Sequence, residues 1–337
     1  MIKKILLSSV LAQSFLLADT TLAPSRLEVK DGYNMYLQGE FLWWLSQNDN
    51  LFFCQEGPIA SPQNSFNGTL KRIPTGFVPG GRLTFGGLMA YDHWDIHFTW
   101  TYFTQYNSAE SNNPAYYIGN TFGNSSLSNW INANYNINLN MLDAIMTRPS
   151  WVGERFSISP YIGARGTWLA QVYKTTAQLA TSAPNYVYNR SRSDFQGAGL
   201  LAGFGLRYEL RSGWCIEGNF LSSGIYGKFV NYFSGYLNDS DNFPDNTRLA
   251  FSQDHNQSML FDIEYKLGIG YNHFLNNGRY HLGGGIAWEE VIFLNGNRLP
   301  MWNTALNNDI SSPGLSFANP SPLLTLQGIT LRFIFGF

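Results

Sequence analysis

The chain has 337 residues, Lys+Arg 21 against Asp+Glu 23, and only 13% of it is charged, where soluble domains average about 25%. That shortage argues against an ordinary cytosolic globule, and a net charge of −2 lacks the basic footprint of a nucleic-acid binder. Hydrophobic residues make up 44% and aromatics 16%, yet after the first twenty residues no run approaches the roughly 18 consecutive apolar residues of a membrane helix, so a multi-helix membrane protein is excluded.

The N-terminus reads as a leader. Lys3 and Lys4 precede an apolar core from Ile5 to Leu17 that ends at Ala18, which is the make-up of a secretory signal peptide and too short to span. Residues 1–18 are therefore expected to be removed, with a cut after Ala23 as the alternative, leaving 19–337 as one domain.

The rest of the chain alternates. In a transmembrane barrel each strand carries apolar side chains at every second position, with polar or small ones between. Met35 to Leu45 sets Leu37, Phe41 and Trp43 against Gln38 and Glu40, and Arg82 to Met89 sets Leu83 and Phe85 against Arg82 and Thr84. Trp94, Ile96, Phe98, Trp100 and Tyr102 share one face, with His93, Asp95, His97, Thr99 and Thr101 on the other. Asn132, Asn134, Asn136, Asn138 and Asn140 then alternate with Ile131, Ala133, Tyr135, Ile137, Leu139 and Met141. Asn is a poor strand former, so this ladder is expected to line a hydrated lumen.

Further along, Phe156 to Val172 places Ile158, Ile162, Trp168 and Val172 outward and Tyr161, Arg165 and Thr167 inward. Leu200 to Leu210 sets Phe204, Leu206 and Tyr208 against Arg207 and Glu209, and Trp214 to Phe220 sets Ile216 against Cys215 and Glu217. Met259 to Tyr271 sets seven apolar residues against Asp262, Glu264, Lys266 and two glycines, and Tyr280 to Trp288 sets Leu282 and Ile286 against His281 and small residues. The last segment carries Ile329, Leu331, Phe333, Phe335 and Phe337 on one face and Gly328, Thr330, Arg332, Ile334 and Gly336 on the other. Its aromatic ladder has the form of an assembly signal for outer-membrane barrels, read by the barrel assembly machinery.

Long connections alternate with short ones, the short ones falling at Tyr91-Asp92, 147–154, Arg211-Ser212-Gly213 and Leu275 to Gly278. The fold predicted is an all-β, transmembrane, antiparallel up-and-down barrel in the bacterial outer membrane, with long extracellular loops and short periplasmic turns. It has about ten strands, and as many as sixteen if short strands lie in 110–120, 183–190 or 229–237. Such a barrel sits among outer-membrane lipid and lipopolysaccharide, with a homo-oligomer possible and no nucleic-acid partner.

Pore-lining candidates are Glu40, Arg82, Asp95, His97, Asn132, Asn134, Asn136, Asn138, Arg165, Arg207, Glu209, Asp262, Glu264, Lys266 and Arg332, with Glu217 and Glu289 also turned inward. Acids slightly outnumber bases there, which favours a water-filled channel with weak cation preference; ion pairs closing a narrow lumen are the competing reading. His93, Asp95 and His97 share a face but have no nucleophile beside them, so lumen hydrogen bonding is preferred to hydrolytic chemistry. Cys54 and Cys215 with five histidines give no metal-binding spacing, and neither metal nor cofactor is expected. Cys54 could pair between molecules, although an isolated loop thiol is the simpler reading.

Three stretches, Tyr161-Ile-Gly-Ala-Arg-Gly-Thr-Trp-Leu-Ala-Gln171, Gly283-Gly-Gly-Ile-Ala-Trp-Glu289 and Leu331-Arg-Phe-Ile-Phe-Gly-Phe337, resemble the major outer membrane protein-like porins of Legionella and of chlamydia-like bacteria. The resemblance implies a surface porin for small hydrophilic solutes, with a surface antigen or adhesin as the alternative. It supplies no catalytic residues. Pathogenic chlamydial relatives are cysteine-rich, whereas this chain has two cysteines, which argues against a disulfide-linked coat.

Overall fold

A computed structural model describes residues 29, 33–48, 51–56, 69–89, 94–112, 115–117, 127–179, 186–210, 212–238, 247–299, 302–304, 315–317 and 322–337. The leader and His93 lie outside the described residues. Ten long strands form the wall: β1 (Met35–Gln47), β2 (Val78–Leu88), β3 (Asp95–Ser111), β4 (Leu127–Thr147), β5 (Phe156–Leu179), β6 (Tyr186–Glu209), β7 (Trp214–Asn238), β8 (Thr247–Leu275), β9 (Tyr280–Leu294) and β10 (Leu324–Gly336). Each pairs antiparallel with its chain neighbours, and β10 returns to β1 with Leu37 opposite Phe335 and Phe41 opposite Leu331. Closure leaves the wall without the unpaired edge that an open sheet would expose.

Following Cα partners around the barrel from Tyr271 leads through Gly284, Phe333, Gly39, Leu83, Trp100, Leu142, Gly166, Ala198 and Tyr226. It returns to β8 at Met259, twelve residues along the same strand. A stagger of that size over ten strands corresponds to a tilt of about 40°. One rim is level, held by reciprocal Met35 and Phe337 backbone bonds of 3.1 and 2.9 Å. Its turns are tight because Asn276, Asn277 and Gly278 all adopt positive φ, which Asn and Gly tolerate best.

The other rim is uneven. β1, β2, β9 and β10 have 13, 11, 15 and 13 residues, close to the roughly 10 that a tilted strand needs to cross a bilayer. β5 to β8 have 24, 24, 25 and 29 residues and rise well beyond it as a tall wall. Of the stretches expected to hide extra strands, 186–190 and 229–237 belong to these long strands, and 183–185 lies outside the described residues. Residues 115–117, Phe52–Glu56 and Thr69–Arg72 form short strands that extend the wall's sheet from the top of β4 at the tall end.

Around the short-turn half, the outer face is apolar and exposed, with Leu83, Phe98, Leu142, Ile162, Leu267 and Leu331 among its residues. Aromatics flank this band, Tyr208, Trp214, Tyr271 and Tyr280 at the lower edge and Trp43, Tyr102, Trp168 and Tyr226 at the upper, as in the girdles of membrane barrels. No helix among the described residues is long and apolar enough to cross a membrane.

The Asn ladder of β4 faces outward, contrary to the sequence expectation. Ile131, Ala133, Tyr135, Ile137, Leu139 and Met141 are buried inside, 1% exposed or less, so Asn132, Asn134, Asn136 and Asn138 lie on the outer wall and do not line the lumen. The strand keeps its side-chain alternation while its surroundings invert. Below Met141 the outside is the apolar band, reached by Leu142 and Met146, and the inside carries Asp143. Above it the wall has left the band, so the outer face is polar and the inner face packs.

Candidate functional site

The interior divides at mid-height. In the short-turn half, a cavity of about 370 Å³ is lined by Glu40, Arg82, Asp95, His97, Asp143, Tyr161, Arg165, Arg207, Glu217, Glu264, Lys266, His281, Glu289 and Arg332. Alternation on β1 to β3 and on β5 to β10 brings the predicted inward charges to this half. Glu209 joins its edge through a 2.6 Å bridge to Arg207. Asp95 and His97 sit low on β3, with Asp95 Oδ1 3.5 Å from His97 Nδ1.

The charges are organised into pairs that cross the lumen. Arg82 donates to Glu40 Oε2 at 2.7 Å and to Glu289 Oε1 at 2.8 Å, and Lys266 donates to Glu40 Oε1 at 2.7 Å. Thr330 Oγ1 donates to Glu289 at 2.8 Å and accepts from Trp44 Nε1 at 3.2 Å, which ties this layer to the aromatic ring above it. Arg332 and Glu217 form a second pair at 2.6 Å. Two cations against two carboxylates balance the first cluster, and the second balances one for one.

The third cluster does not balance. Arg165 forks onto Asp143 through Nε and Nη2 at 2.7 and 2.8 Å, reaches Asp262 Oδ2 at 3.1 Å and also meets Glu264. Three carboxylates thus surround one guanidinium. Ser223 supplies two more donors to Asp262, from Oγ at 2.5 Å and from its backbone N–H at 3.1 Å. Arg165 on β5 reaches β8 across the inner faces of β6 and β7, where β6 presents Gly197, Gly199, Gly203 and Gly205 and so leaves room for the guanidinium. Asp143 and Glu289 complete the clusters. Asp143 escaped the sequence reading because the face of β4 assigned to the lumen was the wrong one.

The tall half of the interior is filled. One cluster of buried apolar side chains takes Leu42 and Trp44 from β1, Phe103 from β3, Ile131 to Met141 from β4, Leu169 and Tyr173 from β5, and Phe195 from β6. Ile225 and Phe229 from β7, Leu260 from β8, Val291 and Phe293 from β9, and Leu324 and Leu326 from β10 complete the circuit, with Val78 of β2 packed against it. It is a septum touching every strand of the wall. Part of it comes from segments outside the wall: Leu51, Phe53, Cys54, Ile73 and Leu299.

Those segments are bonded to the strands. Tyr173 Oη donates to Phe52 O at 2.9 Å, Gln171 Nε2 to Gly296 O at 2.7 Å, and Gln105 Nε2 to Gly76 O at 2.8 Å. Asn297 Nδ2 donates to Asn48 Oδ1 at 3.0 Å, joining the two inserted segments. Cys54 is fully buried in this packing, and Cys54 and Cys215 are both unpaired thiols. Burial removes Cys54 from the surface at which it would pair with another molecule.

At the closing seam, Phe333 and Phe335 face outward beside Tyr280, with Tyr280 and Phe335 ring centroids 5.9 Å apart and Phe335 and Phe337 5.7 Å apart. No group of His, Cys, Asp and Glu suited to a metal ion occurs among the described residues.

A closed ten-stranded barrel with an apolar band, aromatic girdles and a charged interior defines the class of outer-membrane β-barrel proteins. Residues 30–320 match the family described as "Legionella pneumophila major outer membrane protein precursor", and the chain belongs to that family. No match is found among curated proteins. Among solved structures, the chain is similar to the outer membrane protease OmpT of Escherichia coli, at 8% identity and a TM-score of 0.41, over 94% of this chain and 100% of that one. It is also similar to a Pseudomonas aeruginosa FadL homologue, at 7% identity and a TM-score of 0.32, over 96% of each chain.

Proposed function

We propose that this chain is a gated porin: an outer-membrane pore for small hydrophilic solutes that is shut, in the state described, by its apolar septum. The observation that carries the reading is the origin of the septum residues. Leu51, Phe53, Ile73 and Leu299 lie outside the ten closing strands, Phe53 on a short strand joined to the sheet at the top of β4, so they can withdraw while the barrel stays closed on itself. Below them waits a hydrated vestibule whose charge suits small polar solutes. The Arg165 cluster carries the acidic excess, which favours cations.

The test is conductance of the refolded barrel in a planar bilayer under a salt gradient, for the native protein and for a variant with residues 50–75 replaced by a short Gly-Ser turn. Rare openings in the first and frequent, cation-selective openings in the second support the proposal. A native protein open at all times overturns the gate and leaves the pore. Silence in both moves the weight to the second reading, a permanently closed barrel whose tall wall and loops act at the cell surface. That reading is favoured by strands of 24 to 29 residues, far longer than spanning requires.

A further inference from the structure

We infer that the outer wall above the aromatic girdle, on β5 to β8, is a binding surface for the phosphorylated headgroups of outer-leaflet glycolipid. The protein has a net charge of −2, yet Lys174, Arg190, Arg192 and Lys228 all occupy outward positions on this wall and are exposed. Asp194, bonded to Arg192 at 2.6 Å, is the single carboxylate among the described residues of that face. The outward acids Glu110 and Glu290 lie on β3 and β9, on either side of it.

Register brings the cations together. Lys174 on β5 stands directly opposite Arg190 on β6, and like charges so placed destabilise a sheet unless an anion lies between them. Lys228 stands between Gln196 and Gln257 on the adjoining strands, with Tyr226 of the girdle two residues below it. A shallow groove of about 350 Å³ is lined by Arg190, Arg192, Asp194, Val230, Tyr232 and Gln253. Guanidinium groups bind phosphate oxygens in fixed, forked geometry, and the groove begins at Val230, four residues above Tyr226 of the girdle.

The Asn ladder adds the second half of the surface. Asn134 is the cross-strand neighbour of Lys174, and the ladder carries amide donors and acceptors upward beside the cations. Asn134 Nδ2 donates to Asn132 at 2.7 Å and Tyr106 Oη donates to Asn134 at 2.6 Å, which sets the amides as an ordered strip. Paired donor and acceptor groups in a row suit sugar hydroxyls, and cations beside them suit sugar phosphates. A phosphate on a sugar satisfies both, whereas a simple anionic phospholipid satisfies only the second.

The experiment uses the full-length mature barrel, purified in detergent and stripped of lipid. Binding is measured for deep-rough lipopolysaccharide, for the same material after phosphatase treatment, and for phosphatidylglycerol vesicles. The expected result is that Lys174→Gln, Arg190→Gln, Arg192→Gln and Lys228→Gln together weaken lipopolysaccharide binding at least tenfold. Phosphatase treatment should do the same to the native protein, and phosphatidylglycerol should bind much more weakly. Heat-modifiable migration on gels checks that the variant folds; if it does not, the pair Arg190→Gln and Lys228→Gln is read instead. Unchanged binding by the folded variant, or undiminished binding of dephosphorylated material, overturns the site. Equal binding of phosphatidylglycerol overturns its specificity for glycolipid. Because the surface is external, these results do not depend on whether the lumen conducts.

Discussion

Lys266 Nζ on β8 lies 2.7 Å from Glu40 Oε1 on β1, so two strands that never touch along their backbones are joined through the lumen by a single carboxylate. Glu40 also accepts from Arg82 at 2.7 Å. Substituting Glu40→Gln leaves one anion, Glu289, for two buried cations. Removing one member of such a cluster is expected to cost about 3–5 kcal/mol, because the cost is that of the uncompensated charge. The double variant Glu40→Gln with Lys266→Gln should recover much of the loss. Urea unfolding in lipid vesicles, followed by tryptophan fluorescence, measures both; a loss below about 1 kcal/mol in the single variant would mean that water screens the cluster.

β4 offers a test of where the bilayer ends. Leu142 faces outward within the apolar band, 50% exposed in the absence of lipid, and Asn136 faces outward six residues higher. Leu142→Lys is expected to destabilise the barrel by about 1–2 kcal/mol, the cost of a cation on the lipid face two residues below the upper girdle, between the interfacial and mid-depth values. Asn136→Lys should stay within about 0.5 kcal/mol. Tyr135→Ala, one residue from Asn136 but buried inside, should cost about 3 kcal/mol through the void it leaves and the lost bond to Gln171. If Asn136→Lys proves the costlier of the two lysines, the outward assignment of the Asn ladder fails.

The same strand shows what the sequence can and cannot convey. Period-two alternation is a property of the backbone and survives everywhere, so ten strands, their order and the inward placement of Glu40, Arg82, Arg165, Glu264, Lys266 and Arg332 were all legible. Which face is inside is a property of the surroundings. Where lipid is outside, the apolar face is outside, and Leu331 or Phe98 reads correctly. Above the lipid, the interior is the drier side, and Ile137 and Asn138 exchange the roles that the rule gave them. The septum was hidden for the same reason, since its inner residues look like a lipid face. Its inserted part was hidden for another: Leu51 and Phe53 lie in a connection, where no periodicity announces burial.

Gly199 tests the tight coiling that lets Arg165 reach across. A Cβ at this position would lie 1.9 Å from Gly224 O and 2.6 Å from Ile225 Cα, both backbone atoms that cannot turn aside. Gly199→Ala is therefore expected to force β6 and β7 apart and to lower the folded fraction on gels severalfold. Ala202→Gly on the outward face of the same strand should be tolerated. Full folding of Gly199→Ala would show that the strand pair can slide to make room.

Cys54 reports on the inserted segment without disturbing it. Burial pushes its thiol up to about 11, with the nearby Glu56 carboxylate adding to the effect, against about 8.5 in an unfolded chain. The folded state therefore holds its proton more tightly, and the stability this gives is present below pH 8.5 and lost as pH rises from there through 11. In a Cys215→Ser background, a disulfide reagent at pH 8 should modify the folded barrel at a small fraction of the rate seen in urea, because thiolate is scarce and access is closed. Unfolding free energy should fall between pH 8.5 and 11 more steeply than in a Cys54→Ala comparison. Fast labelling of the folded protein at pH 8, together with matching pH profiles, would mean that the segment carrying Leu51 and Phe53 spends much of its time out of the septum. The gate would then be open at rest.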